Sequence, residues 1–246
     1  MEENKKKEVK PYNKENSSKK EEVAEMFNNI SEKYDYLNHL LSLGIDKIWR
    51  RKAIKILKTY NPKKILDVAT GTGDFAIASL KLKPESVIGI DISKGMIEKG
   101  KQKLCRKGIT DKVVLQLGDS ENLDFKDDTF DGLTVAFGVR NFEDLEKGLA
   151  EMRRVLRPGG VAIILEFSKP RKFPVKQTFG FYSKYVIPKI GKSISKDDSA
   201  YAYLPESVAA FPEGDDFLNI LNKVGYKNTR SKMVSGGIAT IYIGEK

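Results

Sequence analysis

The sequence predicts an α/β fold: a doubly wound, mostly parallel sheet with helices ahead of it and an antiparallel strand at its C-terminal end. Three observations predict it. Beyond Lys63, short β-rich runs alternate with helical ones, as in a parallel sheet covered on both faces. The first run ends in a glycine-rich turn that leads straight into a helix, as in the opening βαβ unit of a nucleotide-binding sheet. The 246 residues suffice for one large domain with attachments but not for two full ones.

In chain order, residues 1–22 read as a disordered tail, rich in Lys, Glu, Asn and Ser and too poor in large apolar residues to offset the entropy of ordering. Residues 23–62 read as an N-terminal helical cap. Met26, Phe27, Ile30, Tyr34, Leu37, Leu40 and Leu41 recur at helical spacing, as do Ile48, Trp49, Ala53, Ile56 and Leu57. Asn61-Pro62 breaks that pattern. The main domain, 63–246, has candidate strands at 64–69, 86–91, 113–117, 132–136 and 161–167, and helices at 75–82, 94–107 and 145–156. Ser93 is the expected N-cap of the second of these helices, and Pro158-Gly159-Gly160 the stop after the third. A last helix at 216–224 precedes strands at 227–233 and 239–244.

Composition narrows the function classes. With 40% hydrophobic and 32% charged residues, the chain belongs with ordinary globular proteins. No apolar stretch approaches the roughly 20 residues of a membrane span, and the N-terminus has no apolar signal core, so the expected location is the cytoplasm. A single cysteine, Cys105, forms no internal disulfide, and its place in a helical run suggests packing. The net charge of +10 is concentrated: residues 47–64 and 169–196 each hold eight Lys or Arg and no acid. Such segments are either a solvated face or a surface that meets the phosphates of nucleic acid or anionic lipid.

The strand ends carry the chemistry. Strand one runs out through Asp67-Val68-Ala69-Thr70-Gly71-Thr72-Gly73-Asp74, where Gly71 and Gly73 let the backbone turn tightly and approach a ligand. Strand two ends in Ile90-Asp91, a carboxylate placed to accept both hydroxyls of a ribose. Strand three ends in Gly118-Asp119-Ser120, beside the position expected for an adenine edge. Either acid alone is as readily a helix cap, but three strand ends meeting at one crevice favour a nucleoside ligand. Gly71, Gly73 and Ala76 also fit a dinucleotide fingerprint. Asp67 and Asp74 tip the choice, because two carboxylates repel a pyrophosphate and suit the ammonium and sulfonium of S-adenosylmethionine.

The chain resembles the class I methyltransferases and, more narrowly, the demethylmenaquinone methyltransferase and ubiquinone-biosynthesis C-methyltransferase family. The resemblance rests on Phe27-Asn28 through Tyr34-Asp35-Tyr36-Leu37-Asn38 to Trp49-Arg50, on the Gly71 to Asp74 loop, on Phe137-Gly138-Val139-Arg140-Asn141, and on Arg154-Val155-Leu156-Arg157-Pro158-Gly159-Gly160 to Glu166-Phe167-Ser168. Tyr201-Ala202-Tyr203-Leu204, Phe211-Pro212 and Gly236-Gly237-Ile238-Ala239 extend it. It implies a Rossmann-like fold that binds S-adenosylmethionine through Thr72, Asp91, Asp119 and Ser120. Two positions depart from the family: Asp46 stands where histidine is usual, and Ala136 where some members have serine.

The resemblance further implies C-methylation of a prenylated naphthoquinol, with a ubiquinone precursor as the alternative. Only the reduced ring is electron-rich enough to attack a sulfonium methyl group, so the enzyme aligns the reactants and helps a ring hydroxyl lose its proton. Arg140 and Asn141 are the catalytic candidates; Arg140 stays protonated and suits a developing phenolate rather than a proton-accepting role. Glu166 is a candidate base or a structural cap. His39 sits among leucines, as a core or rim residue does. No metal-ligand spacing is present, and methyl transfer requires none. An RNA or DNA methyltransferase would share the fold, but Phe137-Gly138-Val139-Arg140 replaces the aromatic-proline motif such enzymes carry after strand four, so no nucleic acid partner is expected. The basic segment, within a cover spanning 169–205, interleaves its charges with Phe173, Phe179, Phe181, Tyr182, Tyr185, Ile187 and Ile190. It is expected to cover the site and to rest peripherally on the inner membrane surface. Oligomeric state is not legible in the sequence.

Overall fold

A computed structural model describes residues 8–36, 42–182, 185 and 198–246. Leu37, His39, Leu40, Leu41, Lys184, Ile187, Pro188, Lys189, Ile190 and Lys192 lie outside the described residues.

The helices are α1 (Lys19–Ile30), α2 (Ile45–Leu57), α3 (Asp74–Ser79), α4 (Lys94–Lys107), α5 (Leu145–Val155), α6 (Val175–Phe181), α7 (Asp198–Ala210) and α8 (Asp215–Val224). Strands β1 (Lys64–Val68), β2 (Ser86–Asp91), β3 (Val113–Leu117), β4 (Phe130–Ala136) and β5 (Leu156–Phe167) run parallel. The final pair, β6 (Lys227–Val234) and β7 (Ala239–Glu245), adds two antiparallel pairings, β7 with β5 and β6 with β7. The sheet order is β3-β2-β1-β4-β5-β7-β6. The chain leaves β1 toward one edge and returns to β4 on its other side. The carboxyl ends of β1 and β4 therefore diverge into a crevice, where open α/β sheets bind ligands.

Alternation along the strands supplies both faces of the sheet. Ile65, Val87, Val161, Ile163 and Ile241 pack with Trp49, Ala53 and Leu57 of α2, Phe75 of α3 and Leu104 of α4. Leu66, Val68, Leu133, Val135, Ile164 and Tyr242 pack with Leu149 and Met152 of α5 and Phe217 and Leu221 of α8. Each fully buried Leu or Ile contributes about 1.5–3 kcal/mol, so these two layers dominate stability. Ser93 caps α4 as expected, its hydroxyl accepting from the Met96 N–H at 3.2 Å.

Four expectations need correction. The fifth strand, expected at 161–167, starts at Leu156, directly after the helix stops at Val155, and Pro158-Gly159-Gly160 lies within it as an irregularity, where pairing with β4 passes from Phe130↔Leu156 to Gly132↔Val161 and Gly159 takes a φ of +79°. Cys105 is exposed on α4, because the apolar stripe of that helix runs through Met96, Ile97, Gly100 and Leu104 instead. The expected helical cap divides, with α2 forming part of the sheet's core while α1 packs through Val23 and Met26 against Ala200 and Tyr203 of α7.

Finally, residues 8–22 of the expected tail take up defined structure. Helix α1 starts at Lys19 with a capping box, in which the Ser18 hydroxyl accepts from Glu21 N–H and the Glu21 carboxylate from Ser18 N–H. The Glu22 carboxylate has no exposed surface and accepts the N–H groups of Tyr12, Asn13 and Lys14 at 2.6, 2.8 and 2.8 Å. These charge-assisted bonds offset the ordering entropy that low hydrophobicity alone leaves unmatched. Replacing Glu22 with Ala is expected to lower stability by about 1–3 kcal/mol and to speed hydrogen exchange at Tyr12, Asn13 and Lys14. Unchanged protection of those three amides would show that something else anchors the segment.

Candidate active site

The crevice is built around Asp67, at the end of β1. This carboxylate is buried; one oxygen accepts the Thr134 hydroxyl of β4 at 2.6 Å, and the other accepts the Thr70 hydroxyl and, at 3.0 Å, the Ala76 N–H in α3. Burial pushes its pKa up to about 6 against the pull of these bonds. The lone pairs read from sequence as suiting a cationic ligand are thus spent on the loop itself. Between these anchor points Ala69, Gly71 and Gly73 all adopt positive φ. Gly138, after β4, comes so close that a Cβ there would lie 2.6 Å from Ala69 Cβ, so the two strand ends need a glycine at this position.

Gly71 N–H points at Asp91, the last residue of β2, and donates to Oδ2 at 2.8 Å, while Oδ1 accepts from Ser93 N–H at 2.9 Å. Burial pushes the Asp91 carboxyl up to about 6. The carboxylate retains acceptor capacity for a ligand hydroxyl. Asp119, past the end of β3, accepts from Glu121 N–H through Oδ1 at 2.9 Å and pairs with Lys20 Nζ through Oδ2 at 2.7 Å.

These residues share a cavity of about 640 Å³, measured with its open mouth. Gly71, Asp91, Asp119, Ser120 and Asn141 line it together, with aromatic walls from Phe27, Tyr34, Phe137 and Phe142. Thr72 instead lines a second chamber of about 370 Å³, which has Tyr34, Ala69, Gly71 and Ala136 in common with the first. The Thr72 hydroxyl contacts Asp35 and accepts from Lys103 Nζ at 2.7 Å, and Lys103 also pairs with Asp74 at 2.9 Å. Gly73 and Arg140 line neither chamber.

Arg140 turns inward. Its side chain is 7% exposed; Nη1 pairs with the fully buried Glu166 at 2.9 Å and donates to the Phe137 carbonyl, and Nε donates to the Ser207 hydroxyl of α7 at 3.3 Å. Burial raises the Glu166 pKa, and the facing Arg140 charge opposes that rise. Asn141 remains on the cavity wall. Its Oδ1 accepts the Tyr203 hydroxyl at 3.1 Å, which fixes the amide so that Nδ2 is left as the donor end, 3.4 Å from the Phe137 carbonyl. Burial pushes the Tyr203 phenol up to about 12.

Sequence reasoning missed the part played by α1. Lys20 bridges Asp119 and Glu121, at 2.7 and 3.0 Å, while Lys19 Nζ donates to the Phe142 and Arg140 carbonyls at 2.7 and 3.2 Å. Burial lowers the Lys19 pKa. Asn28 Oδ1 accepts from Ser93 Oγ and Gly95 N–H, at 2.8 and 2.9 Å. The helix thereby roofs the crevice, with Val23 and Phe27 on the cavity side. The Ser18-x-x-Glu21 capping box was the signal that a helix starts before residue 23.

A family model described as the ubiE/COQ5 methyltransferase family matches residues 15–246. The chain is 51% identical over 239 residues to the demethylmenaquinone methyltransferase of Bacteroides fragilis, covering 97% of each chain. It is 42% identical over 240 residues to the protein of the same name from Porphyromonas gingivalis, covering 97% of this chain and 98% of that one. With the ubiquinone/menaquinone biosynthesis C-methyltransferase UbiE of Geotalea daltonii it shares 47% identity over 232 residues, 94% and 98% of the two chains. Among solved structures, a SAM-dependent methyltransferase from Thermotoga maritima has the same fold at a TM-score of 0.64, with 18% identity over 91% of this chain and 99% of that one. Another, from Aquifex aeolicus, matches at 0.53 and 20% identity over 78% and 88%.

If Asp91 receives the ribose hydroxyls, Asp91→Ala weakens S-adenosylmethionine binding by about 2 kcal/mol. The ionised carboxylate is the better acceptor, so binding releases the proton that Asp91 carries below about pH 6, and affinity rises with pH through that window. Calorimetry across pH 5 to 8 is expected to show that rise in the native protein and a shallower one in the variant. Unchanged affinity in a folded variant would remove Asp91 from the site.

Proposed function

The chain belongs to the ubiE/COQ5 methyltransferase family, and from that premise we propose that it methylates a ring carbon of demethylmenaquinol to give menaquinol, working at the inner face of the cytoplasmic membrane. It is an S-adenosylmethionine-dependent methyltransferase. The observation that carries the substrate reading is the 51% identity, over 97% of both chains, to a protein named for demethylmenaquinone. The crevice supports it, because nucleoside-binding carboxylates open directly onto the aromatic walls that a flat, apolar quinol ring requires.

The cofactor supplies an electrophilic methyl group on a sulfonium. The protein's task is to hold an electron-rich ring carbon in line with it and to exclude water. Asn141 is proposed as the catalytic contact: held through its carbonyl by Tyr203, it offers its amide N–H to the ring oxygen on which negative charge develops. Arg140 is proposed as a positioning residue. It braces the turn that carries Asn141 through Phe137, Glu166 and Ser207, and places a fixed positive charge behind that turn. Phe27 and Val23 on the α1 roof keep water from the site.

Among the described residues no helix is long and apolar enough to cross a membrane. The prenyl tail of the substrate nevertheless resides in one. Phe173, two residues before α6, and Phe181, its last residue, are 81% and 63% exposed, and Met233 is 71% exposed. Met233 and Val175 both approach the Gly236-Gly237 turn, which places β6 beside α6. Arg171, Lys172 and Lys176 lie exposed among them. Each basic residue near an anionic surface adds about 1 kcal/mol, and the aromatics add shallow apolar burial, so attachment is weak and salt-sensitive.

One assay tests both parts. Demethylmenaquinol carried in vesicles is expected to be methylated when reduced and not when oxidised. Turnover should be faster on vesicles containing phosphatidylglycerol than on pure phosphatidylcholine, and the advantage should shrink with added salt and in Lys172→Glu/Lys176→Glu. No methylated product from the reduced quinol would overturn the substrate reading. Product formed equally on both vesicles, at any salt, would overturn only the docking face.

A further inference from the structure

Arg50, near the start of α2, lines the second chamber, and its guanidinium carbon lies 5.8 Å from the centroid of the Phe137 ring. Its side chain is 12% exposed. Asp46, one turn earlier and itself 3% exposed, takes Nη1, and the Ser42 hydroxyl holds the same carboxylate at 2.6 Å. On the opposite edge the buried Nε has no hydrogen-bond partner among the described residues. Nε and Nη2 form the side-on fork of an arginine, the edge that takes a carboxylate with two parallel bonds. A guanidinium donor buried without an acceptor is destabilising, and among the described residues Nε is left unsatisfied.

The chamber's other charges select the ligand. Asp67 and Asp74 line it together with Arg50, and they oppose any ligand that is purely anionic, a phosphate or pyrophosphate included. An anionic group that carries its own cation meets both signs at once. That is the character of an α-amino acid. Because the two chambers meet at Tyr34, Ala69, Gly71 and Ala136, a ligand whose nucleoside sits against Asp91 and Asp119 can run past the glycine loop and put its far end beside Arg50.

We propose that Arg50 binds the α-carboxylate of the methionine tail of S-adenosylmethionine, with Asp46 holding the guanidinium at the wall of the chamber. The assignment rests on the cofactor reading of the crevice and adds an anchor from outside the sheet. It also gives the α2 helix a reason to pack where it does: the same helix that buries Trp49 and Ala53 in the core delivers Arg50 to the loop.

Binding without turnover tests it. S-adenosylhomocysteine, its decarboxylated analogue, and 5′-methylthioadenosine, which lacks the tail, are titrated calorimetrically into the native protein and Arg50→Gln. The native protein is expected to bind S-adenosylhomocysteine about 10- to 100-fold more tightly than the decarboxylated analogue, the range for a charge-assisted hydrogen bond to a carboxylate. Arg50→Gln should erase that preference while leaving 5′-methylthioadenosine affinity unchanged. If leaving Asp46 without its partner prevents folding, Asp46→Asn/Arg50→Gln takes its place, and the native comparison stands independently. Equal native affinity for the two tailed ligands would overturn the assignment. So would an equal loss for 5′-methylthioadenosine in the variant, since Arg50 would then only shape the pocket. Failure of the native protein to bind S-adenosylhomocysteine at all would overturn the cofactor reading and this anchor with it.

Discussion

The site depends on a carboxylate whose hydrogen bonds go to the protein itself. Asp67 accepts hydrogen bonds from Thr70, Thr134 and Ala76 and so ties together the end of β1, the loop that follows, the first turn of α3 and the neighbouring strand β4. Burying a carboxylate is unfavourable unless its lone pairs are filled, and the rise of its pKa to about 6 is the mark of that tension. The arrangement propagates outward. A fixed loop aims Gly71 N–H at Asp91, and Asp91, so engaged, turns its remaining lone pairs toward the crevice. A second buried acid, Glu166, does for the β4 turn what Asp67 does for the β1 loop, holding Arg140 and with it the backbone that carries Asn141.

Above this rigid floor lies a roof of different character. Helix α1 is fastened by lysines, an asparagine and a few apolar contacts rather than by the sheet's core, and Lys20 occupies the carboxylate at the edge of the cavity. A partly exposed ion pair of this kind contributes little, on the order of 1 kcal/mol or less, and exchanges readily for other partners. Floor and roof thus divide the work. The floor sets geometry, and the roof closes over it.

Much of the fold was legible because the signals were local. Strands β2 and β3 and helix α4 start and stop where the alternation of β-rich and helical runs and the Ser93 cap place them. The convergence of Gly71, Asp91, Asp119, Ser120 and Asn141 followed from strand-end logic, since every parallel strand points its C-terminal end at the same edge. What was not legible depends on contacts distant in sequence. Glu22 orders a polar segment whose composition reads as disordered, because one buried carboxylate outweighs a low count of apolar residues. Asp67 reads as a ligand contact until Thr134, far along the chain, is seen to claim it. Arg140 reads as reaching out until Glu166 and Ser207 draw it in, and Arg50 reads as one cation of a basic run until Asp46 proves to hold its Nη1 while its buried Nε has no partner among the described residues.

All of this rests on one orientation of one ligand across two chambers that meet at Gly71. A crystal structure with S-adenosylhomocysteine tests it directly. The adenine is expected at Asp119 and Ser120, the ribose hydroxyls on Asp91, and the amino-acid tail beyond the glycine loop with its carboxylate on Arg50. A ligand bound in the reverse sense, or confined to the first chamber with its tail away from Arg50 and its ribose off Asp91, would contradict it.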